Sequence, residues 1–465
     1  MDTDDPILKH ISPNSRAYVV IIAGIILQFT YGLVYTFGNL LPYLASYLRW
    51  KVDPELNDGT LIWFQSLLAG FPFAFLVGGY LEKVIGARWG AAFGSFLYTL
   101  GVALSYLAIQ KSYFSLFITL GFFAAFGHGV AYNCVLTQCQ KWLPHRVGLV
   151  SGLITAGFGS GAFIMSPIQT KYINPDNLNI DSTGYFTQPE LLERVPKMFL
   201  LLATIFGTLQ FVALFFIADP KPNQMLLKCQ SDQSDNFEQK PLRMVHEPRN
   251  SVASCISYAT TTHYNAPTHS KKAILCSDTF FFLFFTLVLN DIWTQTISGF
   301  YKEYGQTFIH DDFFLATINS FAAVFNTFSR ISWGAIADKF SYQFSMSIVC
   351  TVGAVLMWTL GLVKLSGVPA LYFIWICAMF CSVGGTFSLV PYATHRCFGC
   401  DNFGFSYGCL QMAMFFAGVL NALLSQFLVN IIGFQIHFTI IGCTMFISLL
   451  LTIFLSSTQF GQLAI

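Results

Sequence analysis

Charge is scarce in this 465-residue chain: Asp, Glu, Lys and Arg make up 10% of it, against about 25% in a soluble domain. With 54% apolar and 17% aromatic residues, it reads as a protein that crosses a membrane many times. A net charge of +1 offers no basic surface for nucleic acid. The first 16 residues lack the basic start and short apolar core of a secretory signal, so the apolar run from Ala17 to Tyr47 is expected to stay as a span. The 12 cysteines make no disulfide framework. Most fall in apolar stretches, Cys229 and Cys255 lie in a polar loop, and Cys397-x-x-Cys400 has no second ligand pair nearby. The sequence shows no phosphate-binding loop, metal cluster or nucleophile constellation, so neither an enzyme nor a cofactor or metal is expected.

What is present is a series of apolar stretches, each of about 20 residues and able to cross a bilayer as a helix. They run roughly over 18–46, 61–82, 87–108, 113–138, 147–168, 198–218, 273–300, 313–337, 342–364, 369–393, 403–429 and 434–456. The expected fold is therefore an all-α membrane protein of twelve transmembrane helices. A Ser/Thr/Asn-rich linker, 219–272, divides them six and six, giving an N-terminal tail 1–17, halves 18–218 and 273–456, and a C-terminal tail 457–465. With the N-terminus placed in the cytoplasm, Lys and Arg number 15 on the cytoplasmic side and 8 outside, seven of the 15 lying in the linker. That excess predicts cytoplasmic tails and a cytoplasmic linker.

The halves repeat. Gly78-x-x-x-Glu82-Lys83-x-x-Gly86-x-Arg88 follows the second stretch, and Gly334-x-x-x-Asp338-Lys339 follows the eighth. A carboxylate and a cation at a helix end can latch neighbouring helix termini and release them when the halves rock; otherwise they are plain interfacial charge. Weak internal repetition of six plus six helices points to a transporter with a midplane site between pseudo-symmetric halves. Arg330 is the other outlier. It stands inside the apolar run Phe313 to Ala337, about 12 Å along the helix from Asp338. A guanidinium there costs about 2.5–3.5 kcal/mol, so it faces a cavity, a substrate or a fixed partner.

Four segments carry a resemblance: TYGLVYTFGNLLPYL (30–44), QKWLPHRVGLVSGLITAGFGSGAFIMSPI (140–168), FNTFSRISWGAIADKF (325–340) and FGFSYGCLQMAMFF (403–416). In these the chain resembles the major facilitator superfamily, and within it the monocarboxylate porter and oxalate/formate exchanger branch. The 140–168 segment is the most specific. The resemblance implies the major facilitator fold, alternating access, and an Arg330 that pairs with a substrate carboxylate. The branch's monocarboxylate transporters carry an aspartate one turn before this arginine, where Asn326 stands here, and a lysine in the first span, where Asn39 stands. Its oxalate exchangers carry a lysine where Met414 stands. One remaining cation suits a monoanion such as pyruvate or lactate better than a dianion.

Other candidates follow from residue chemistry and the family's cavity helices. Tyr31, Tyr35 and Tyr132 offer ring faces and hydroxyls to a small substrate or pack the core. Asn39, Asn326, Asn290 and Gln138 offer neutral hydrogen bonds. Asp291 in the seventh stretch either pairs with Arg330 or carries a proton, and His128 in the fourth either titrates or serves as a neutral hydrogen-bonding residue. Gly148, Gly152, Gly157 and Gly161 are expected to let helices approach closely. Gly38 and Pro42, and Gly70 and Pro72, are expected to bend their helices.

The expected function is secondary or facilitative transport of small organic anions. The alternatives are a carrier of amino acids or neutral metabolites, with Arg330 paired to Asp291, or a non-transporting receptor. Partners would be a small carboxylate, the lipid bilayer, and protons or a counter-anion, with no nucleic acid; nothing in the sequence speaks for an ancillary membrane protein. The plasma membrane is expected, with an organelle membrane as the alternative.

Overall fold

The computed structural model describes residues 3–54, 71, 73–176, 178, 185–220, 270–309, 311–424 and 429–464. Gly70, Pro72 and linker residues 221–269, with Cys229 and Cys255, lie outside them.

The chain is built from helices. Among the described residues ten are long and apolar enough to cross a membrane. The other two of the twelve are the second, described as Ala74–Ile85, and the eighth, Asp312–Lys339. Helix starts carry their own signals. Asp311 accepts a hydrogen bond from the Phe314 amide at 2.9 Å, and Ser277 and Ser341 do the same for Phe280 and Phe344. These caps satisfy amides that the first turn leaves unpaired. Pro13 and Pro369 open the first and tenth helices, where a missing N–H costs nothing.

Of the positions expected to bend helices, Gly70 and Pro72 lie outside the described residues; the described breaks fall as follows. The first span is two helices, Pro13–Tyr31 and Leu33–Lys51, parted at Gly32, while Pro42 sits inside the second of them. A Cβ on Gly32 would stand 2.8 Å from the Cα of Gly161, so the crossing with the fifth span (Val147–Ile173) needs glycine there. In the second span Phe73 has φ 65°, and the described helix, Ala74–Ile85, starts after it. In the twelfth, Val429–Phe454, Gly433 leaves the helix at φ 74°. The fourth span passes through a π-helical stretch, Phe117–Ala124, before Ala125–Trp142.

Within the first half, the third helix (Ala87–Ala108) packs on the fourth and on the sixth (Arg194–Leu214), and the first packs on the fifth. Within the second, the seventh (Asp278–Gln306) packs on the eleventh (Cys400–Leu423) and twelfth, and the ninth (Tyr342–Ser366) on the tenth (Pro369–Phe398) and twelfth. The halves meet where the fifth helix lies along the eighth and the second along the eleventh. Those pairs are equivalent under a six-plus-six repeat.

Both meetings are backbone-close at the end of the bundle that carries the termini. A Cβ on Gly334 would run into the Gly148 carbonyl, and one on Gly79 into the Gly404 carbonyl. The glycine stripe of the fifth helix divides. Gly148 and Gly152 face the eighth helix, whereas Gly157 and Gly161 face Ile25 and Gly32 of the first.

The N-terminal tail is folded onto its own half. Asp5 pairs with Arg88 at 2.6 Å, Thr3 donates to the Asp219 carbonyl at 2.8 Å, and Leu8 is wholly buried.

Candidate functional site

Arg330 lies in the eighth helix, where that helix runs against the fifth. It is 1% exposed. Its Nε donates to Asn326 Oδ1 at 2.8 Å, Nη1 to the Thr155 carbonyl at 3.0 Å, and Nη2 to the Tyr35 hydroxyl at 2.8 Å. Asn326 is one turn back on the same helix, but Thr155 and Tyr35 belong to the other half. The guanidinium carbon also stands 5.0 Å from the Phe387 ring and 5.6 Å from the Tyr35 ring, distances at which a cation is attracted to a ring face. Glycines make the space: a Cβ on Gly159 would come within 3.5 Å of Arg330 Nε, and one on Gly384 within 3.2 Å of its Cγ.

No carboxylate lies within ion-pair distance of Arg330 among the described residues. The expected alternative of an Arg330–Asp291 pair is therefore not what the structure shows. Asp291 is buried in the seventh helix and accepts from Gln295 Nε2 at 2.7 Å, one turn along. Every hydrogen-bond acceptor Arg330 has is neutral. The positive charge is fixed and shielded from water, but not cancelled.

The other candidates separate into those brought to Arg330 and those held elsewhere. Tyr35 and Asn326 touch it. Tyr35 is 37% exposed, so it stands between the buried guanidinium and open space. Tyr132 is one ring away: its ring is 5.5 Å from Phe158, which is 5.1 Å from Tyr35. His128 stacks on the other side of this group, 5.0 Å from Phe158 with planes 3° apart, and neighbours Tyr31, Phe75 and Tyr132.

Tyr31 is not at the site. It is fully buried and hydrogen-bonds to Ser95 at 2.6 Å inside the first half. Asn39 also lies elsewhere, donating to Ser166, Gln169 and Thr170 of the fifth helix. Asn290 ties the second half together, donating to Thr386 at 3.2 Å and accepting from Ser448 at 2.7 Å. Gln138 donates to the Ala218 carbonyl at the end of the sixth span.

The repeated motif divides as well. Asp338 bridges the halves: Oδ1 accepts from the Gly148 amide at 2.8 Å and Oδ2 from Leu149 at 2.7 Å, at the start of the fifth helix. A carboxylate at a helix N-terminus meets free amides and the positive end of the dipole. Glu82 instead pairs with Lys141 of its own half. Gly78 abuts Val130 of the fourth helix. Arg88 binds Asp5 and the carbonyls of Phe215 and Ile217. Lys83 and Lys339 are exposed. Where Glu82 does not cross, Asn133 does: its Nδ2 donates to the Phe75 carbonyl at 2.6 Å and to Gly404, on the eleventh helix, at 2.7 Å.

Sequence reasoning missed Asn133, Thr155, Phe158 and Phe387. Asn133 carried a signal, an amide inside an apolar helix. The Thr155 contact is a backbone carbonyl, which no side-chain pattern reports. Nothing distinguishes Phe158 and Phe387 among 50 phenylalanines.

Two helical halves that meet along paired helices, with a buried arginine held at their seam, define a polytopic membrane carrier. The chain belongs to the Major Facilitator Superfamily, whose family model matches residues 20–399; it is a membrane transporter rather than an enzyme. Apicoplast pyruvate carrier 1 of Toxoplasma gondii is 25% identical over 478 residues, 91% of this chain and 86% of that one. Monocarboxylate transporter 14 of Homo sapiens is 32% identical over 129 residues, 27% of this chain and 24% of the other. A variant of the E. coli fucose:proton symporter FucP shares the fold, with a TM-score of 0.60 at 14% identity over 94% of this chain and 98% of that one. Relatives thus include pyruvate carriers and monocarboxylate transporters, in keeping with the branch seen in the sequence.

Proposed function

We propose that the chain carries small monocarboxylates, pyruvate and lactate among them, with Arg330 as the anion anchor. One observation carries the reading: a buried guanidinium at the seam of the halves whose acceptors are all neutral. A carboxylate that displaces the Tyr35 hydroxyl gains a charge-assisted, two-pronged contact that no neutral solute can make. Tyr35 and Tyr132 then line the solute, and Asn326 holds Nε so that the terminal nitrogens point at it. The names of the relatives support the same solute class. Asp291 and His128, both buried, are the groups proposed to couple flux to protons.

With the termini inside, as the charge count expects, the contacts of Asp338 and Gly334 close the cytoplasmic end. The membrane proposed at the outset was the plasma membrane; relatives named for the apicoplast favour an organelle instead. A fluorescent fusion imaged against organelle markers decides between them.

The direct test is uptake of labelled pyruvate and lactate into proteoliposomes. Wild type is expected to saturate, and Arg330→Ala and Arg330→Lys to fall to about 1% of it, the worth of a lost charged contact. Both variants must first match wild type in size-exclusion profile. Uptake that survives in Arg330→Ala refutes the anchor.

A further inference from the structure

The partners of Arg330 bear on the step of the cycle in which the carrier crosses with no solute aboard. Nη1 and Nη2 are met from the opposite half, by the Thr155 carbonyl at 3.0 Å and the Tyr35 hydroxyl at 2.8 Å. Nε is met from the same helix, by Asn326 at 2.8 Å. A guanidinium left without acceptors at a closed, 1% exposed seam would resist closure. Here the protein supplies one acceptor to each nitrogen, and two of the three come across the seam. The residue that would hold a carboxylate is therefore also the residue that clasps the halves.

We infer that this carrier reorients without solute and so performs net flux rather than obligate exchange, with the Tyr35 hydroxyl standing in for the carboxylate on the return step beside the fixed Thr155 carbonyl. The inference rests on the carboxylate reading above. It assigns Tyr35 two partners in turn: its oxygen accepts from Arg330 in the return step and yields that nitrogen when a carboxylate arrives. Tyr35 can do this because it is the half-open member of the group, whereas the Thr155 carbonyl is locked in helix backbone. The ring of Tyr35 rests against Phe158 at 5.1 Å. Tyr35→Phe removes the stand-in acceptor and keeps the ring, so the ratio of net flux to exchange, not the size of either, reports on the return step. In exchange, an incoming carboxylate replaces the lost oxygen; on the return step nothing does.

The experiment loads proteoliposomes with labelled pyruvate and follows efflux into buffer without solute and into buffer with excess unlabelled pyruvate. Wild type is expected to release label in both. In Tyr35→Phe the ratio of net efflux to exchange is expected to fall about tenfold or more, the kinetic equivalent of one lost acceptor for a buried charge. A size-exclusion profile that matches wild type reports that the variant is folded. Exchange without net efflux in wild type overturns the inference and leaves the carboxylate reading standing. An equal fall of both fluxes in Tyr35→Phe removes Tyr35 from the return step and overturns the assignment. Neither flux in folded wild type overturns the carboxylate reading and the inference together.

Discussion

Asn326 places a neutral oxygen 2.8 Å from Arg330 Nε, and that neutrality sets the character of the site. An aspartate in its place would be ionised, cancel the guanidinium, and compete with a solute carboxylate. Asn326→Asp is therefore expected to raise the KM for pyruvate about tenfold at pH 8, the effect of about 1.4 kcal/mol, and to keep it raised at pH 5.5, because the adjacent guanidinium holds the carboxylate ionised. Initial-rate uptake over that range checks it, and a KM equal to that of wild type refutes it. Asp291 does not rescue this chemistry. Its described partner is Gln295, so Arg330→Ala combined with Asp291→Asn is expected to stay as inactive as Arg330→Ala alone. Recovery of uptake in the double variant would restore the ion-pair alternative.

Single elements show how far the sequence could be read. Arg330 and Asp338 stood out because a charge in or beside an apolar run has no cheap explanation. Tyr31 and Tyr35 did not separate, since four residues along one helix share a face. The break at Gly32 undoes that spacing, sending Tyr31 to Ser95 and Tyr35 to Arg330. Likewise the two copies of the glycine–acid–lysine motif look alike in sequence, yet Asp338 crosses to the fifth helix and Glu82 stays with Lys141. The difference lies in whether a partner helix presents free amides, which pattern alone does not report. It yields a prediction. Asp338→Asn forfeits about 1 kcal/mol of helix-end bonding and is expected to shift spin labels at Arg146 and Phe340 toward longer separations in double electron–electron resonance. Glu82→Gln is expected to leave that distribution in place. Indistinguishable distributions for both would deny Asp338 a latching role.

At the scale of the molecule, polar side chains divide between holding each half together and joining the halves. Asn290, with Thr386 and Ser448, belongs to the first group; Asn133, Asp338 and Arg330 belong to the second. Hydrogen bonds between membrane helices are worth about 0.6 kcal/mol on average. Asn290→Ala is thus expected to lower the thermal midpoint in detergent by a few degrees without changing the KM for pyruvate. A changed KM at unchanged stability would place Asn290 in the solute path instead. The six-plus-six plan was legible because twelve apolar stretches and one polar linker suffice to state it. The seams were legible in part: Gly148, Gly152 and Asp338 stood out, but the backbone oxygens and amides they meet leave no trace in the sequence.

The divided glycine stripe of the fifth helix has a mechanical meaning. Its stretch around Gly157 and Gly161 is a fixed seam with the first helix, inside one moving body; its opening turns at Gly148 and Gly152 are a sliding surface against another. One helix thus spans the boundary between what moves together and what moves apart. Added bulk in the seam harms assembly. Added bulk at Gly148 meets Gly334 and Asp338 and resets the resting balance between open and closed ends, whereas at Gly152 it presses on the backbone of Arg330 itself. The opening turn of this helix, at Gly148, is therefore where transport speed can be tuned apart from what is carried.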